Sequence, residues 1–483
     1  MQDKWNQQKM DNRGIIHHLQ NSFNHCEDIV FKKIVIKEFP ITLIYAEYII
    51  DPSFIDKYIM PKLDVVPWGL EKFDEYLMKE IQLENMTGSK EDEIQLKILN
   101  GYILIHSNHS LFAASANSVP KRTPEEPATE PSIRGPRDGL IEDLGTNIAL
   151  IRKRLKSNEL KVEKFIIGKR SNTTIAIVYV NDIINKELLS TVKKKINQIE
   201  VDVVSSIQQI EAVISDQPYA LIPSFDTTGR PDFAVDCLNQ GKFLLLMDGQ
   251  PTASIAPVQI ANLFKSPEDA NLNFVFVSFE RLLRFFSLFI SILLPGTWVA
   301  LTTHNIEQIP FLLVATVSVN RYGIPLSTPF EMLLMLILFE LFNEAGLRLP
   351  RGAGQTVSVL GGLIIGDAAI RAGITSPPIL IMGALTFISG FTLVNQTLST
   401  SVTLFRFLIF FLGAMFGIFG VVLGFLLIIS YLVSLTSIGV PFMAMTYPFH
   451  LSNIIRSFLK EPWKIYKTRG SLASPEDRTR QED

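Results

Sequence analysis

The chain has 483 residues, 47% of them hydrophobic and 19% charged, with a formal net charge of -3 at pH 7. That balance gives no basis for expecting a nucleic-acid partner. Cys26 and Cys237, the two cysteines, lie far apart, which excludes a disulfide framework or a CxxC pair and reads as two buried free thiols in a reducing compartment.

These averages conceal two unlike parts joined near Arg281: charged clusters alternate with short apolar runs before it, and apolar residues dominate from Phe285 to about Tyr447. The first twenty residues have no apolar core and no small-residue cleavage site, so they are not read as a secretory signal. The first part is therefore expected in the cytoplasm.

Strand-like runs follow at 34–36, 42–45, 103–105, 165–167, 175–179 and 243–247, with helical stretches at 54–63, 187–199 and 231–239 between them. The alternation predicts an α/β region. The order of elements also repeats. IYAEYIID from Ile44 and VYVNDIIN from Val178 each precede a helix, and GYILIHSNHS from Gly101 parallels GKFLLLMDGQ from Gly241. Duplication of one module is the expectation, and unrelated strand orders in the two modules would end it. Asp248-Gly249 in the second module is a favoured hairpin dipeptide.

The expected boundaries are a first subdomain at 1–117, a Pro-rich linker at 118–133, a second subdomain at 134–280, a helical transmembrane domain at 281–448 and a cytoplasmic tail at 449–483. The linker is rich in proline and charge and reads as a semi-rigid spacer about which the subdomains move. Arg134, Arg137, Arg152 and Arg154 cluster at the entry to the second subdomain, either as solvated charges or as a docking surface.

Apolar stretches then run over 285–301, 329–342, 356–370, 379–393 and 404–433. Crossing a hydrocarbon core takes about 20 helical residues, so 356–370 is marginal, and 404–433 must tilt, project or break. Lys265, Arg281 and Arg284 precede the first stretch and Arg456, Lys460, Lys464, Lys467 and Arg469 follow the last, which places both ends in the cytoplasm and requires an even number of crossings. The 356–370 stretch is the one expected to be short, re-entrant or paired.

That stretch lies in AGLRLPRGAGQTVSVLGGLIIGDAAIRAG (345–373), which carries three arginines and an aspartate where lipid disfavours charge. On a helix, Gln355, Ser358, Gly362, Gly366 and Ala369 form a stripe of small or polar groups, as Gly413, Gly417, Gly420 and Gly424 do further on. Close packing of helices explains the second stripe. The first suits packing or a narrow pore, with Val359, Leu360 or Leu363 as a hydrophobic constriction. Glu340 and Glu344, like Asp367 and Arg371, share helix faces at i, i+4; they mark an interface or a pore mouth that concentrates cations. Beyond them, residues 451–467 mix aromatic and basic side chains, as in an amphipathic helix lying on anionic lipid.

Four strings in order, RGPRDGLIEDLGTNIALIRKRL (134–155), IGKRSNTTIAIVYV (167–180), RPDFAVDCLNQGKFLLLMDGQP (230–251) and LPGTWVALTTHNIEQIP (294–310), are similar to the A subunits of bacterial spore germinant receptors. EAGLRLPRGAGQTVSVLGGLIIGDAAIRAGITSP (344–377) extends the resemblance, which covers roughly residues 134–464. It implies a membrane subunit of a nutrient-sensing complex in the spore inner membrane, with a two-part cytoplasmic domain, a transporter-like B subunit, a lipoprotein C subunit and oligomerisation into an ion channel. Nutrient recognition in that family is assigned mainly to the B subunit, so no nutrient pocket is expected here.

The leading expectation is a homo-oligomeric ring whose 356–370 helices line a nutrient-gated cation path. A proton-coupled solute carrier using Glu340, Glu344 or Asp367 is one alternative, although no membrane repeat is visible. A membrane-anchored scaffold is the other, and it leaves the charged, glycine-striped segment unexplained. The chain has no phosphate-binding loop, zinc-protease pair or nucleophile elbow, so no enzyme, cofactor or metal site is expected.

Overall fold

A computed structural model describes residues 15–36, 39–50, 52–64, 83–87, 89–107, 110–116, 130, 132–348, 366–443, 459–462, 477 and 479. The first module begins with helix α1 (Ile15–Ser22), strands β1 (Ile29–Ile36) and β2 (Phe39–Ala46) and a helical segment at 52–64. It continues with β3 (Glu84–Asn85), α2 (Glu91–Leu99), β4 (Tyr102–His106) and β5 (Leu111–Ser115). The second module comprises α3 (Leu144–Arg154), β6 (Leu160–Ile167), β7 (Thr173–Val180), α4 (Lys186–Asn197), α5 (Ile207–Ile214), β8 (Asp226–Thr228), α6 (Pro231–Leu238), β9 (Phe243–Met247) and β10 (Ala253–Ala256).

Strands β7 and β9 are central and buried on both faces, which is why they read as unbroken apolar runs. Side chains alternate across the sheet: Ile175, Ile177 and Tyr179 join the core under α4 and α5, while Ala176, Val178 and Val180 join the core under α3 and α6.

The two sheets have one topology. The first runs β1-β2-β4-β5-β3 and the second β6-β7-β9-β10-β8, all antiparallel, so each strand occupies the same place in both. The duplicated α/β architecture expected from the strings at Ile44 and Val178 therefore holds at the level of strand order. The turn after β9 differs from the two-residue expectation: only Gly249 has a positive φ of 83°, and the chain needs residues 248–252 to reach β10. Asp248 is drawn instead to α3, where its carboxylate accepts a hydrogen bond from Leu144 N.

The modules are docked rather than loosely tethered. Arg152 of α3 is 0% exposed, and its guanidinium forms two bonds to Asp28 at 2.8 and 2.7 Å and a third to Ser157 O. Cys26 bridges Val162 across the same seam, and Ala149 of α3 packs in the first module's core. Cys26 and Cys237 are buried free thiols. The movement about a semi-rigid spacer expected from sequence is opposed by a buried ion pair that spans the seam. Arg152 takes the docking role, whereas Arg154 pairs locally with Asp138.

Beyond the modules the chain is helical: α7 (Phe274–Thr303), α8 (Phe311–Asn320), α9 (Thr328–Arg348), a helix over 366–371, α10 (Pro377–Phe391) and α11 (Gln396–Ser434). Helices α7 and α11 are long and apolar enough to cross a membrane. Helix α8 was not expected, because ten residues fall short of a span. α9 and α10 lie side by side in the same direction, since Glu331 meets Ser376 and Phe339 stacks on Phe387.

Helix α11 doubles back on itself. At Gly417 φ is 62° and ψ is -147°, a region that essentially only glycine occupies. Contacts are paired symmetrically about that residue: Gly413 meets Val421, Gly420 meets Leu412, Gly424 meets Ile409, and the Phe405 ring meets Tyr431. The glycine stripe thus packs two antiparallel arms together and sets Gly413 against Gly296 of α7. Of the three options for an over-long stretch, this one breaks.

Candidate functional site in the helical domain

Ionisable side chains inside an apolar helical layer mark where a chain does more than anchor. Arg406, in the first arm of α11, is 5% exposed. Pro295 has no N–H to give the carbonyl four residues earlier, so α7 leaves Ser291 O without a helical donor. Arg406 takes that place: Nε donates to Ser291 O at 2.9 Å and Nη2 to Ser291 Oγ at 2.7 Å. Gly390 of α10 gives the guanidinium room, because a Cβ there would sit 3.3 Å from Nη2. No carboxylate bonds Arg406 among the described residues, and the negative charge that reaches it is that of Glu340 on α9.

A second polar group lies at the start of α9. Glu331 is fully buried, and its Oε2 accepts from Ser376 N at 2.9 Å and Ser376 Oγ at 3.1 Å, so it caps α10 where Ser376's own side chain does not. Arg321 approaches the other oxygen at 3.4 Å.

The break in α11 is satisfied in the same manner. A continuous helix would bond Ile418 N to Ala414 O. Here Ile418 N donates to Asn305 Oδ1 at 3.1 Å and Ala414 O accepts from His304 Nε2 at 2.8 Å. Two adjacent residues at the end of α7 thus replace one helical bond and fix the tip of the hairpin.

At its other end the hairpin grips the second module. Asn395 Nδ2 donates to Asp226 at 2.7 Å, Ser401 Oγ to Leu221 O at 2.5 Å, and Tyr431 OH accepts from Leu221 N at 2.6 Å. Burial pushes the Asp226 carboxyl up, against the pull of Lys242 and its hydrogen bonds.

Of the residues singled out in sequence, Gln355, Ser358, Val359, Leu360, Gly362 and Leu363 lie outside the described residues. Gly366 is the first described residue of the helix that ends at Arg371, and it lies against Leu380. Asp367 and Arg371 form an exposed pair at 2.8 Å, with side chains 55% and 79% exposed. Such a pair contributes at most about 1 kcal/mol. Glu340 is half-buried and Glu344 exposed. Among the described residues these four charges are not gathered into one cluster. Arg406 and Glu331 escaped the sequence reading, although an arginine within the 404–433 run was itself a sufficient signal. Lys460, expected to attract lipid, instead donates to the carbonyls of Asp269, Ala270 and Leu272 at 2.5, 3.3 and 3.0 Å. Most of the expected amphipathic helix around it lies outside the described residues.

Comparison with known proteins follows the same span. The family model described as Bacillus/Clostridium GerA spore germination protein matches residues 17–472. Spore germination protein XA of Bacillus anthracis is 39% identical over 450 residues, covering 91% of each chain. Spore germination protein KA of Bacillus subtilis (strain 168) is 33% identical over 462 residues, covering 94% of this chain and 85% of that one. Among solved structures, the N-terminal domain of the A subunit of the Bacillus megaterium spore germinant receptor GerK3 matches with a TM-score of 0.38 and 20% identity, over 50% of this chain and 92% of that one.

Proposed function

The chain belongs to the GerA spore germination protein family, and from that premise we propose that it is the A-type membrane subunit of a nutrient-responsive germinant receptor whose copies assemble around a gated cation path. The observation that carries this reading is the polar interior of the helical domain. Arg406 is held between α7, α10 and α11 with no bonded carboxylate among the described residues, an arrangement that a passive anchor does not need.

The path is assigned to the stretch with Gln355, Ser358, Gly362 and Gly366 on one face, with the constriction at Val359, Leu360 and Leu363. Glu340, Glu344 and Asp367 are the carboxylates nearest to it in sequence. B and C subunits of the same receptor are the proposed partners, and the spore inner membrane is the proposed location, with both chain ends in the cytoplasm. Helices α9 and α10 run in the same direction, and the base of the α11 hairpin bonds the second module, which supports placing that base on the cytoplasmic side.

A nutrient-loaded partner opens the path only to the extent that it prefers the open form. Replacing Val359, Leu360 and Leu363 by alanine is expected to raise resting conductance and release ions before any nutrient is added. Unchanged conductance and unchanged triggered germination in all three variants would remove the constriction from these residues. The broken helix at Gly417 is a feature shared with carriers. Saturable solute flux in liposomes holding this chain alone would favour that alternative, and unsaturable ion conductance the channel.

A further inference from the structure

A cavity of about 430 Å³ lies where α6, the segment leading into α7 and the described piece of the tail meet, walled in part by Asp236, Lys242, Lys265, Arg281 and Lys460. Its volume falls in the range of small-molecule sites. Lys242 is only 4% exposed, yet among the described residues its ammonium has no hydrogen bond and no ion-pair partner. The ammonium of Lys265 has a single bond, to Asn262 Oδ1 at 3.4 Å.

Asp226 faces Lys242 through its charge but accepts its hydrogen bonds from Thr227 N and Asn395 Nδ2, and the other nearby aspartates are bonded elsewhere. Asp232 takes two bonds from Arg230, Asp236 accepts from Gln240, and Asp269 holds Arg281 at 2.7 Å. Burying the Lys242 ammonium without a bonded partner is costly, and an anion between it and Lys265 would supply one. Burial, together with the charges of Arg281 and Lys242 and against the pull of Asp236, pushes the Lys265 ammonium down to about 8.

We propose that this cavity binds a small molecule by an anionic head, a carboxylate or a phosphate, seated between Lys242 and Lys265. The ligand ties the second module to α7 and to the tail, since Arg281 belongs to α7 and Lys460 is stapled across the segment before it. This site is independent of the ion-path assignment and survives its failure.

The test uses the full chain in lipid nanodiscs with inorganic phosphate, sulfate and malonate as probes. Saturable binding that raises the melting temperature is expected from at least one of them, with affinity reduced about tenfold or more in Lys242→Met and Lys265→Met. Malonate binding without phosphate or sulfate binding would identify a carboxylate ligand, and the reverse a phosphate ligand.

The wild-type chain supplies a second reading if the variants fail to fold. Lys265 loses its proton as pH rises through about 8, whereas the sulfate charge is constant there and Cys237 alongside, pushed up to about 12 by burial, stays protonated. Sulfate affinity is therefore expected to fall by up to about tenfold per pH unit above 8. Failure of all three anions to bind overturns the proposal, as does binding that is equal in the lysine variants and unchanged between about pH 7 and 9.

Discussion

Arg406 is intelligible only through a proline more than a hundred residues earlier. Pro295 removes a donor from α7, and the guanidinium restores one to Ser291 O. Replacing Arg406 by leucine should therefore cost about 1–3 kcal/mol, because a buried carbonyl loses its partner. Pro295→Ala in the same chain should return part of that, since an alanine there would offer the missing N–H to Ser291 O. Thermal unfolding of the single and double variants in detergent measures the coupling; additive losses would show that Arg406 and Pro295 act separately. The arginine was visible in the sequence, but its partner was not, because nothing in local spacing links positions 115 residues apart.

For elements, the α11 hairpin is the clearest case of local sequence permitting two structures. Glycines at 413, 417, 420 and 424 line one face of a continuous helix, and equally Gly413, Gly420 and Gly424 line the seam between two arms that turn at Gly417. Residues outside the helix make the choice: Asn305 and His304 bond the groups that a break at Gly417 exposes. Gly417→Ala should destabilise the helical domain by about 1–3 kcal/mol, because it puts a Cβ in a glycine-only conformation and against Asn305 Oδ1. Asn305→Ala should give a smaller loss of about 1 kcal/mol by leaving Ile418 N unpaired. Limited proteolysis and melting in detergent report both; an unaffected Gly417→Ala protein would mean that the arms do not turn there. By the same logic the β-strands were easier to read than the helices of the membrane part. Alternation between two buried faces is written into β7 residue by residue, whereas α8 is only ten residues long and is interrupted by Thr316 and Ser318.

Across the whole molecule, duplication was legible from paired strings, but the joint between the modules was not. The shared strand order follows from equivalent runs of apolar alternation, whereas Arg152 and Asp28 lie 124 positions apart. A proline-rich linker suggested motion, and the buried pair opposes it. Asp28→Asn should cost about 3–5 kcal/mol by stranding a buried guanidinium. Asp28→Leu with Arg152→Met should recover much of that loss, because an apolar pair of similar volume removes both charges. Recovery in stability without recovery of nutrient-triggered germination would show that the modules must be held in this register to transmit a signal. The helical domain then completes a chain of contacts from the seam through the second module to Asn395, Ser401 and Tyr431 at the base of the α11 hairpin.

The central claim is that copies of this chain surround an ion path lined by the face carrying Ser358. Ser358→Cys in the assembled receptor, reconstituted in liposomes, tests it most directly, because this chain's own cysteines, Cys26 and Cys237, are buried and the wild-type receptor sets the background of the other subunits. A charged thiol reagent should cut the nutrient-triggered ion flux through Ser358→Cys receptors and leave Leu312→Cys receptors, altered on the exposed face of α8, unaffected. Flux that is undiminished in labelled Ser358→Cys receptors would contradict the claim and move the path to another helix.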